Sequence, residues 1–456
     1  MSIRQTIIMN SRRFVAAVAN IGFWYTRPVP NTYFDGSNIS TFQQDGPVPL
    51  KTNTKSFLWT WNSAPMFIQS IGSNTGKTQW ASNVMVGGAA NNIGFTQSVS
   101  VANNDQVVVW TNDGGGTLAY RMFRFYGANG TVIWSANTKD YAGIYGLCAT
   151  DDALVRMGHA VDGANNVISK WSTNGTTLDW YYNMKATFNM GTRLVMAKNP
   201  LQNRFYVSGQ WGTKPSIHCW DSTGAKKWGY TLENTTLWGL PYIYSTDAVD
   251  SSNNIYFGLS SFPRDFCKVA DADTSATFTW RKAIPSGNLI NYITTDIGGN
   301  CFVGCYNGAN AYVTKLDSGG TASWTKRFWN TRPSTAGIYE QQYTYIRDIH
   351  ATPMEVFITV YTQGQYDSGK SGWLNSGNDE VQILRIGQGG EPSSNTNWAN
   401  LYMNVWTTMT ITAQTAISIS ANTGPANSAV SISSNTVAND ITFSTNTIHN
   451  ILATAL

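Results

Sequence analysis

The feature that most constrains this chain is a tryptophan that recurs after a tight turn. The copies read Asn74-Thr75-Gly76-Lys77-Thr78-Gln79-Trp80, Asn129-Gly130-Thr131-Val132-Ile133-Trp134, and Asn174-Gly175 leading to Trp180. Thr223-Gly224-Ala225-Lys226-Lys227 leads to Trp228, Asp273 opens a variant that ends in Trp280, and Gly319-Gly320 leads to Trp324. A looser copy, Gly389-Gly390, ends in Trp398. Successive tryptophans lie 54, 46, 48, 52, 44 and 74 residues apart. Self-similarity at a period of about 40–50 residues implies like units in a ring or stack, each unable to bury its apolar face alone.

Each turn follows a run with period-two alternation: Met66–Ile71, Met122–Tyr126, Val167–Trp171, Ser216–Trp220, Asp265–Val269, Ala311–Leu316 and Val381–Ile386. A second short strand precedes it, often opened by Asn and closed by Gly, as in Asn203–Gly209, Asn254–Gly258 and Asn300–Gly304. One more apolar strand comes before that, as in Gly146–Ala149 or Tyr292–Ile297. With the tryptophan strand this makes four short strands per unit and seven units. The expected fold is therefore all-β, a seven-bladed β-propeller of four-stranded blades with extended N- and C-terminal arms. Blades stacked face to face bury alternate side chains of every strand, and Gly and Asn supply positive φ at the hairpin turns. The blade tryptophans Trp80, Trp134, Trp180, Trp228, Trp280, Trp324 and Trp398 are expected in the core.

The units at Gly72–Trp80 and Trp220–Trp228 resemble the Trp-docking repeat of the quinoprotein-like propellers, in which a Thr-Gly turn precedes a tryptophan that packs on the next blade. The resemblance runs copy by copy over residues 39–405. Quinone enzymes of that superfamily usually carry eight blades, adjacent cysteines and a calcium-linked acidic site. This chain departs from all three, so no cofactor is expected.

Residues 1–38 form an N-terminal arm with Phe23-Trp24-Tyr25 and Pro28-Val29-Pro30. Ser11-Arg12-Arg13 is similar to a twin-arginine export signal, but the apolar stretch Phe14–Ala19 is shorter than the ~7–15 residues a signal core requires. Residues 406–456 are the C-terminal arm. From 407 onward the only charge is Asp440 and the only aromatic Phe443, and Met409, Ile411, Ala413, Ile417, Ile419, Val430, Ile432, Ile441 and Phe443 alternate with polar residues. That pattern predicts strands with one apolar face, pairing with the propeller or with a neighbouring subunit.

Chemical motifs are sparse. Gly364–Ser371 matches the phosphate-loop pattern but lacks the helix whose amides would hold a phosphate. Asp271-Ala272-Asp273-Thr274-Ser275 begins like a calcium loop, yet has Lys282 where a bidentate Glu belongs, and reads as a hairpin turn. The five cysteines form no CxxC and favour reduced, buried thiols over disulfides. His159 and His218 fall within strands. No nucleophile elbow and no metal-spaced histidine pair is present, so neither catalytic nor metal-binding residues are assigned and the chain is not expected to be an enzyme. No run of apolar residues is long enough for a membrane helix. Net charge is +4 without runs, which argues against nucleic acid as a partner.

Aromatics at expected loop positions, Trp238, Tyr242, Tyr244, Trp329, Tyr343, Tyr366 and Trp373, are candidate surface-binding residues, with Tyr339 and Tyr345 beside them. Only 12% of residues are charged, about half the usual ~25%. That texture, with strand-rich arms and abundant Asn, Ser, Thr and Gly, resembles bacteriophage virion proteins. It implies a non-enzymatic tail or capsid-surface component located in the virion. Its expected partners are other virion proteins, further copies of itself through the terminal arms, and a host-surface glycan. The alternative expectation is a secreted or cell-surface propeller lectin that binds glycans through rim aromatics.

Overall fold

The computed structural model describes residues 24–27, 48–49, 55–60, 67–72, 78–86, 96–101, 106–112, 120–138, 141–149, 153–160, 166–173, 177–183, 188–189, 197–199, 204–211, 214–232, 241–242, 248–259, 265–308, 310–333, 339–363, 366–367, 372–373, 380–391, 396–398, 401–406, 409, 412–413, 419–421, 436–437, 441–445 and 451–455. Among these residues the chain is all β, in strands that alternate direction and gather into seven sheets.

An N-terminal strand, β1 (Trp24–Arg27), comes first and is taken up again below. Blade 1 is β2 (Val48–Pro49), β3 (Lys55–Thr60), β4 (Phe67–Gly72) and β5 (Thr78–Val86). Blade 2 is β6 (Thr96–Val101), β7 (Gln106–Asn112), β8 (Tyr120–Tyr126) and β9 (Val132–Thr138). Blade 3 is β10 (Tyr141–Ala149), β11 (Ala153–Ala160), β12 (Asn166–Ser172) and β13 (Leu178–Asn183). Blade 4 has a split inner strand, β14 (Phe188–Asn189) and β15 (Ala197–Asn199), then β16 (Arg204–Trp211), β17 (Lys214–Asp221) and β18 (Lys226–Leu232). Blade 5 is β19 (Pro241–Tyr242), β20 (Asn254–Leu259), β21 (Asp265–Asp271) and β22 (Ala276–Ala283). Blade 6 is β23 (Leu289–Thr295), β24 (Cys301–Tyr306), β25 (Ala311–Leu316) and β26 (Ala322–Pro333).

Blade 7 begins with β27 (Tyr339–Ala351) and β28 (Glu355–Gln363). A small hairpin follows, β29 (Tyr366–Asp367) with β30 (Gly372–Trp373), and then β31 (Glu380–Gly387) pairs back on β28. The fourth strand of this blade is β1, antiparallel to β31 with Trp24 opposite Arg385. The last blade is thus completed by the first described strand. This corrects the expectation that the seventh unit ends at Trp398. That residue lies in β32 (Thr396–Trp398), a hairpin with β33 (Leu401–Trp406), and β33 sits on the outer edge of blade 6. The 74-residue spacing before Trp398, beyond the 44–54 of the other copies, is the sequence signal of that difference.

After β33 the chain circles the ring in reverse blade order. β34 (Thr412–Ala413) pairs with blade 5, β35 (Ile419–Ala421) with blade 4, β36 (Thr436–Val437) with blade 2 and β37 (Ile441–Thr445) with blade 1. β38 (Ile451–Ala455) pairs with β1 in blade 7. The described strands of residues 407–456 therefore form a strap of fifth strands on the propeller's own perimeter, whereas Ile411, Ile417, Val430 and Ile432 of the alternating pattern lie outside the described residues. Each described outermost edge so covered is no longer open to a foreign strand.

The cores lie between blades. Tyr206, Ile217, Cys219 and Trp228 of blade 4 meet Ile255, Phe257, Cys267 and Val269 of blade 5. Tyr256 and Phe266 meet Ile293, Cys301, Val303 and Leu316 of blade 6, and Met409 of the strap closes that cluster. Phe302, Val313 and Phe328 meet Ile346, Ile349, Ile358 and Leu384 of blade 7. Burying both faces of each sheet is what the apolar runs in the inner strands require.

Candidate functional site

The tryptophan turns form one contact system, repeated from blade to blade. Trp80, Trp134, Trp180, Trp228, Trp280 and Trp324 each stand opposite the third strand of their own blade, at Ser70, Arg124, Lys170, Cys219, Lys268 and Lys315, and a register shift follows immediately. A bulge at this point re-aims the strand beyond the tight turn. In four of the six the indole N–H then reaches a turn carbonyl of the next blade. Trp80 donates to Gly127 O at 3.1 Å, Trp180 to Ser222 O at 3.2 Å, Trp280 to Ser318 O at 3.5 Å and Trp324 to Gln388 O at 3.1 Å. Lysines on the third strand reinforce two of these joints: Lys268 Nζ donates to Ser318 O and Lys315 Nζ to Gln388 O, both at 3.0 Å.

Glycine is needed where the ring lies on the turn. Gly224 has φ +89°, and a Cβ there would sit 2.8 Å from Cδ2 of Trp180. Gly390, at φ +88°, would place one 3.0 Å from Trp324. The tryptophans are not uniformly core, contrary to expectation. Trp134 and Trp228 are buried, whereas Trp80, Trp180, Trp280 and Trp324 are half-buried, because each caps an exposed turn. Among the residues whose burial is described, the fully buried tryptophans are Trp171 and Trp220 on the third strands, which the turn pattern did not single out.

At the joint between blades 4 and 5 a carboxylate replaces the carbonyl. Asp271 accepts from Trp228 Nε1 at 2.8 Å, Arg204 Nη1 at 2.6 Å, Tyr206 Oη at 2.8 Å and the Asp273 amide at 2.8 Å. Arg204 also bridges to Asp273, as does Lys227 at 3.2 Å. The calcium-like segment 271–275 is thus a hairpin turn whose acids serve an inter-blade ion pair. Burial, with neighbouring Cys219 and Asp271, pushes the Tyr206 phenol well above its ordinary range.

Alternating strand direction places the second-to-third-strand connections and the inter-blade connections at one end of the sheets. At that end, blades 6 and 7 are unlike the rest. β26 runs on to pair with β27 at Asn330–Pro333 and Tyr339–Gln342, so the two blades merge into one projecting sheet. The β29–β30 hairpin interrupts blade 7 at the same end, with Tyr366 opposite Trp373. Beneath these hairpins, Tyr306 packs edge-on against Tyr345 with centroids 4.6 Å apart, and Tyr345 lies 6.1 Å from Tyr361. Arg347 stacks over Tyr361 at 4.7 Å and Tyr345 at 5.9 Å. Arg327 covers Trp329 at 4.7 Å and donates from Nε to Asn310 Oδ1 at 2.8 Å. Thr344 N donates to Gly308 O at 3.1 Å, tying Gly308 of blade 6 to β27 of blade 7. Tyr306, Tyr345, Arg347, Arg327 and Trp329 are half-buried.

These contacts include Trp329 and Tyr345 from the sequence-derived aromatics and add Arg327, Arg347, Tyr306 and Tyr361. The arginines were not legible in the sequence, because their stacking depends on cross-strand register. Tyr343 lies on β27, opposite Gln363, and Tyr366 and Trp373 lie on the neighbouring hairpin. Tyr242 lies on β19 of blade 5, opposite Gly258. Trp238 and Tyr244 fall outside the described residues, as do Lys370 of the phosphate-loop match and the Arg12-Arg13 pair. The two described residues after that match, Gly372 and Trp373, are strand.

Among the described residues no three His, Cys, Asp or Glu side chains come together to hold a metal ion. Cys219, Cys267, Cys301 and Cys305 are buried free thiols, and burial pushes each thiol pKa up. None is sequence-adjacent to another. These residues do not supply the cysteine pair and acidic calcium site of a quinone enzyme. His218 is fully buried beside Ser216 and Trp220, and burial followed by the charge of Lys226 lowers its pKa to about 3.

No protein-family model matches the chain, and no curated sequence matches it. Solved structures are similar in fold. BamB from Moraxella catarrhalis is 12% identical, over 77% of this chain and 98% of that one, with a TM-score of 0.42. Quinohemoprotein alcohol dehydrogenase from Comamonas testosteroni is 12% identical over 84% and 80%, with a TM-score of 0.44. The β-propeller domain of the Trilobed protease from Pyrococcus furiosus, described as having an open velcro topology, is 9% identical over 74% and 98%, with a TM-score of 0.43. The fold assignment rests on this chain's own sheets and inter-blade contacts.

Proposed function

We propose that the protein is a non-enzymatic structural component of a bacteriophage virion, at the tail or capsid surface, and that its propeller is a docking platform. The observation that carries the docking role is the arginine–aromatic cluster under the projecting hairpins of blades 6 and 7. Here β26 and β27, the longest described strands, pair with each other, and the β29–β30 hairpin is inserted into blade 7. Segments 329–345 and 361–380 are rich in Tyr, Ser, Gly, Asn and Gln, with Trp and Arg among them. That mixture gives rigid aromatic contact area together with adaptable hydrogen bonding, as in evolved binding loops. The low charge and the self-covered perimeter suit a subunit held at high local density, where open strand edges would associate wrongly. The virion reading is tested by purifying particles of the virus that encodes the chain and detecting the protein in them. Absence from infectious particles overturns it.

A second reading, a surface propeller that binds glycans, draws on the half-buried Tyr306–Tyr345 pair, since aromatic faces suit sugar rings. Glycan-array binding that is lost in Tyr345→Ala would favour it over the first.

A further inference from the structure

We propose that the outer edge of β1 is a strand-acceptor site, and that its occupant is the chain's own last strand, β38, which latches the ring shut. β1 is four residues long and is held to blade 7 by pairing with β31 at Trp24, Tyr25 and Thr26. On its other side Trp24, Tyr25 and Arg27 pair with Ala455, Thr454 and Ile451. Without β38, this short strand would be the outermost element of the blade that closes the circle, with one row of its amides and carbonyls open to water. A four-residue edge strand is marginal by itself, and its outer hydrogen bonds are completed only by a further strand.

The strap is built to deliver that strand. Its root is firm: Leu401–Trp406 pairs residue for residue with Asn330–Thr325, and Met409 is buried with its amide donating to Thr325 Oγ1 at 3.0 Å. Its middle holds blades 5, 4 and 2 through strands of only two or three residues. Its far end, β37 and β38, again has five residues in each strand. Residues 441–456 contain no Asp, Glu, Lys or Arg. Recognition at this site is therefore by backbone pairing with an uncharged strand, the mode of β-strand addition. β1 thus lies between β31 and β38 in one blade, and it stays in the ring only while β38 covers its outer edge.

The test is a chain ending at residue 446, followed by hydrogen exchange. Amides of residues 24–27 should exchange about tenfold or more faster than in the full chain, while those of blades 4–6 stay protected. An excess of the synthetic peptide Ile448–Leu456 should restore protection at 24–27. Unchanged exchange at 24–27 after truncation, or no rescue by the peptide, overturns the proposal. Should truncation unfold blades 4–6 as well, the register pair decides. Tyr25→Cys with Thr454→Cys, in a Cys148→Ser background, is treated with a short thiol cross-linker. A link within one chain supports the latch. Links only between chains mean that a second copy fills the site and overturn the own-chain occupant. No link overturns the pairing itself.

Discussion

Trp324 on blade 6 and Gln388 on blade 7 are joined by an indole N–H to carbonyl hydrogen bond of 3.1 Å, and Lys315 donates to the same oxygen. One backbone carbonyl therefore receives a ring donor and a cation from the neighbouring blade. Trp324→Phe keeps most of the apolar contact and loses the ring donor, a cost of about 0.5–1.5 kcal/mol. Trp228, which is buried, should cost about 3–5 kcal/mol as Trp228→Ala. Urea unfolding monitored by far-UV dichroism measures both, and the ordering Trp228→Ala above Trp324→Phe is the expected result.

Gly224→Ala should destabilise by more than about 1 kcal/mol, since the new Cβ meets the Trp180 ring and the backbone stays at positive φ. Gly287 shares a φ of +89° but has open space around it, so Gly287→Ala pays the backbone term alone and should cost less. A midpoint shift at constant m-value for both variants checks the comparison. Equal shifts would mean that the ring contact contributes nothing.

Arg204→Ala removes the cation from the blade 4–5 joint and leaves the Asp271 side chain, which is 0% exposed, without its ion partner. Loss of one member of a buried pair costs about 3–5 kcal/mol, and the Trp228 and Tyr206 donors that remain place this case near the lower end. Differential scanning calorimetry reads it as a lower Tm. Arg204→Lys should recover part of the loss, since it restores the charge without the fork that reaches both Asp271 and Asp273.

Acid should weaken the fold through His218. Its folded pKa is held down to about 3, against an ordinary 6.5, by burial and then by Lys226. Below pH 6.5 the unfolded chain takes up a proton that the folded chain refuses. Stability contributed at this residue is therefore lost as pH falls, by about 1.4 kcal/mol per unit, until pH 3, below which both states are protonated. In His218→Gln the slope of unfolding free energy between pH 6 and 4 should be shallower than in the native chain. Parallel profiles would assign the acid sensitivity to other groups.

The four described cysteines should be silent to a thiol-specific reagent in the native protein, since burial both shields them and keeps them as thiols. The same four should react at once in guanidinium. Fast native labelling at Cys301 or Cys305 would show that the blade 5–6 core opens.

What the sequence determined by itself was the repeating unit. Alternation, turn glycines and a tryptophan at a near-constant interval are local properties, and each follows from the backbone conformation of a few neighbouring residues. They specified the strands and the turns, while the resemblance to the Trp-docking repeat implied the inter-blade use of tryptophan. Which strand completes the last blade was not a local property. Trp24 opposite Arg385 and Trp324 opposite Lys315 are equivalent in register, but the first pair lies 361 positions apart in the chain and the second 9. The same holds for the C-terminal segment. Its alternation announced strands with one face to bury, but a strand's edge hydrogen bonds carry no address in its side chains. Only the assembled ring, with outer edges presented in sequence around its rim, decided that the strap runs backwards over its own blades. The stacked arginines of blades 6 and 7 likewise depend on the register of β26, β27 and β28, which is set when the blades pack and not before.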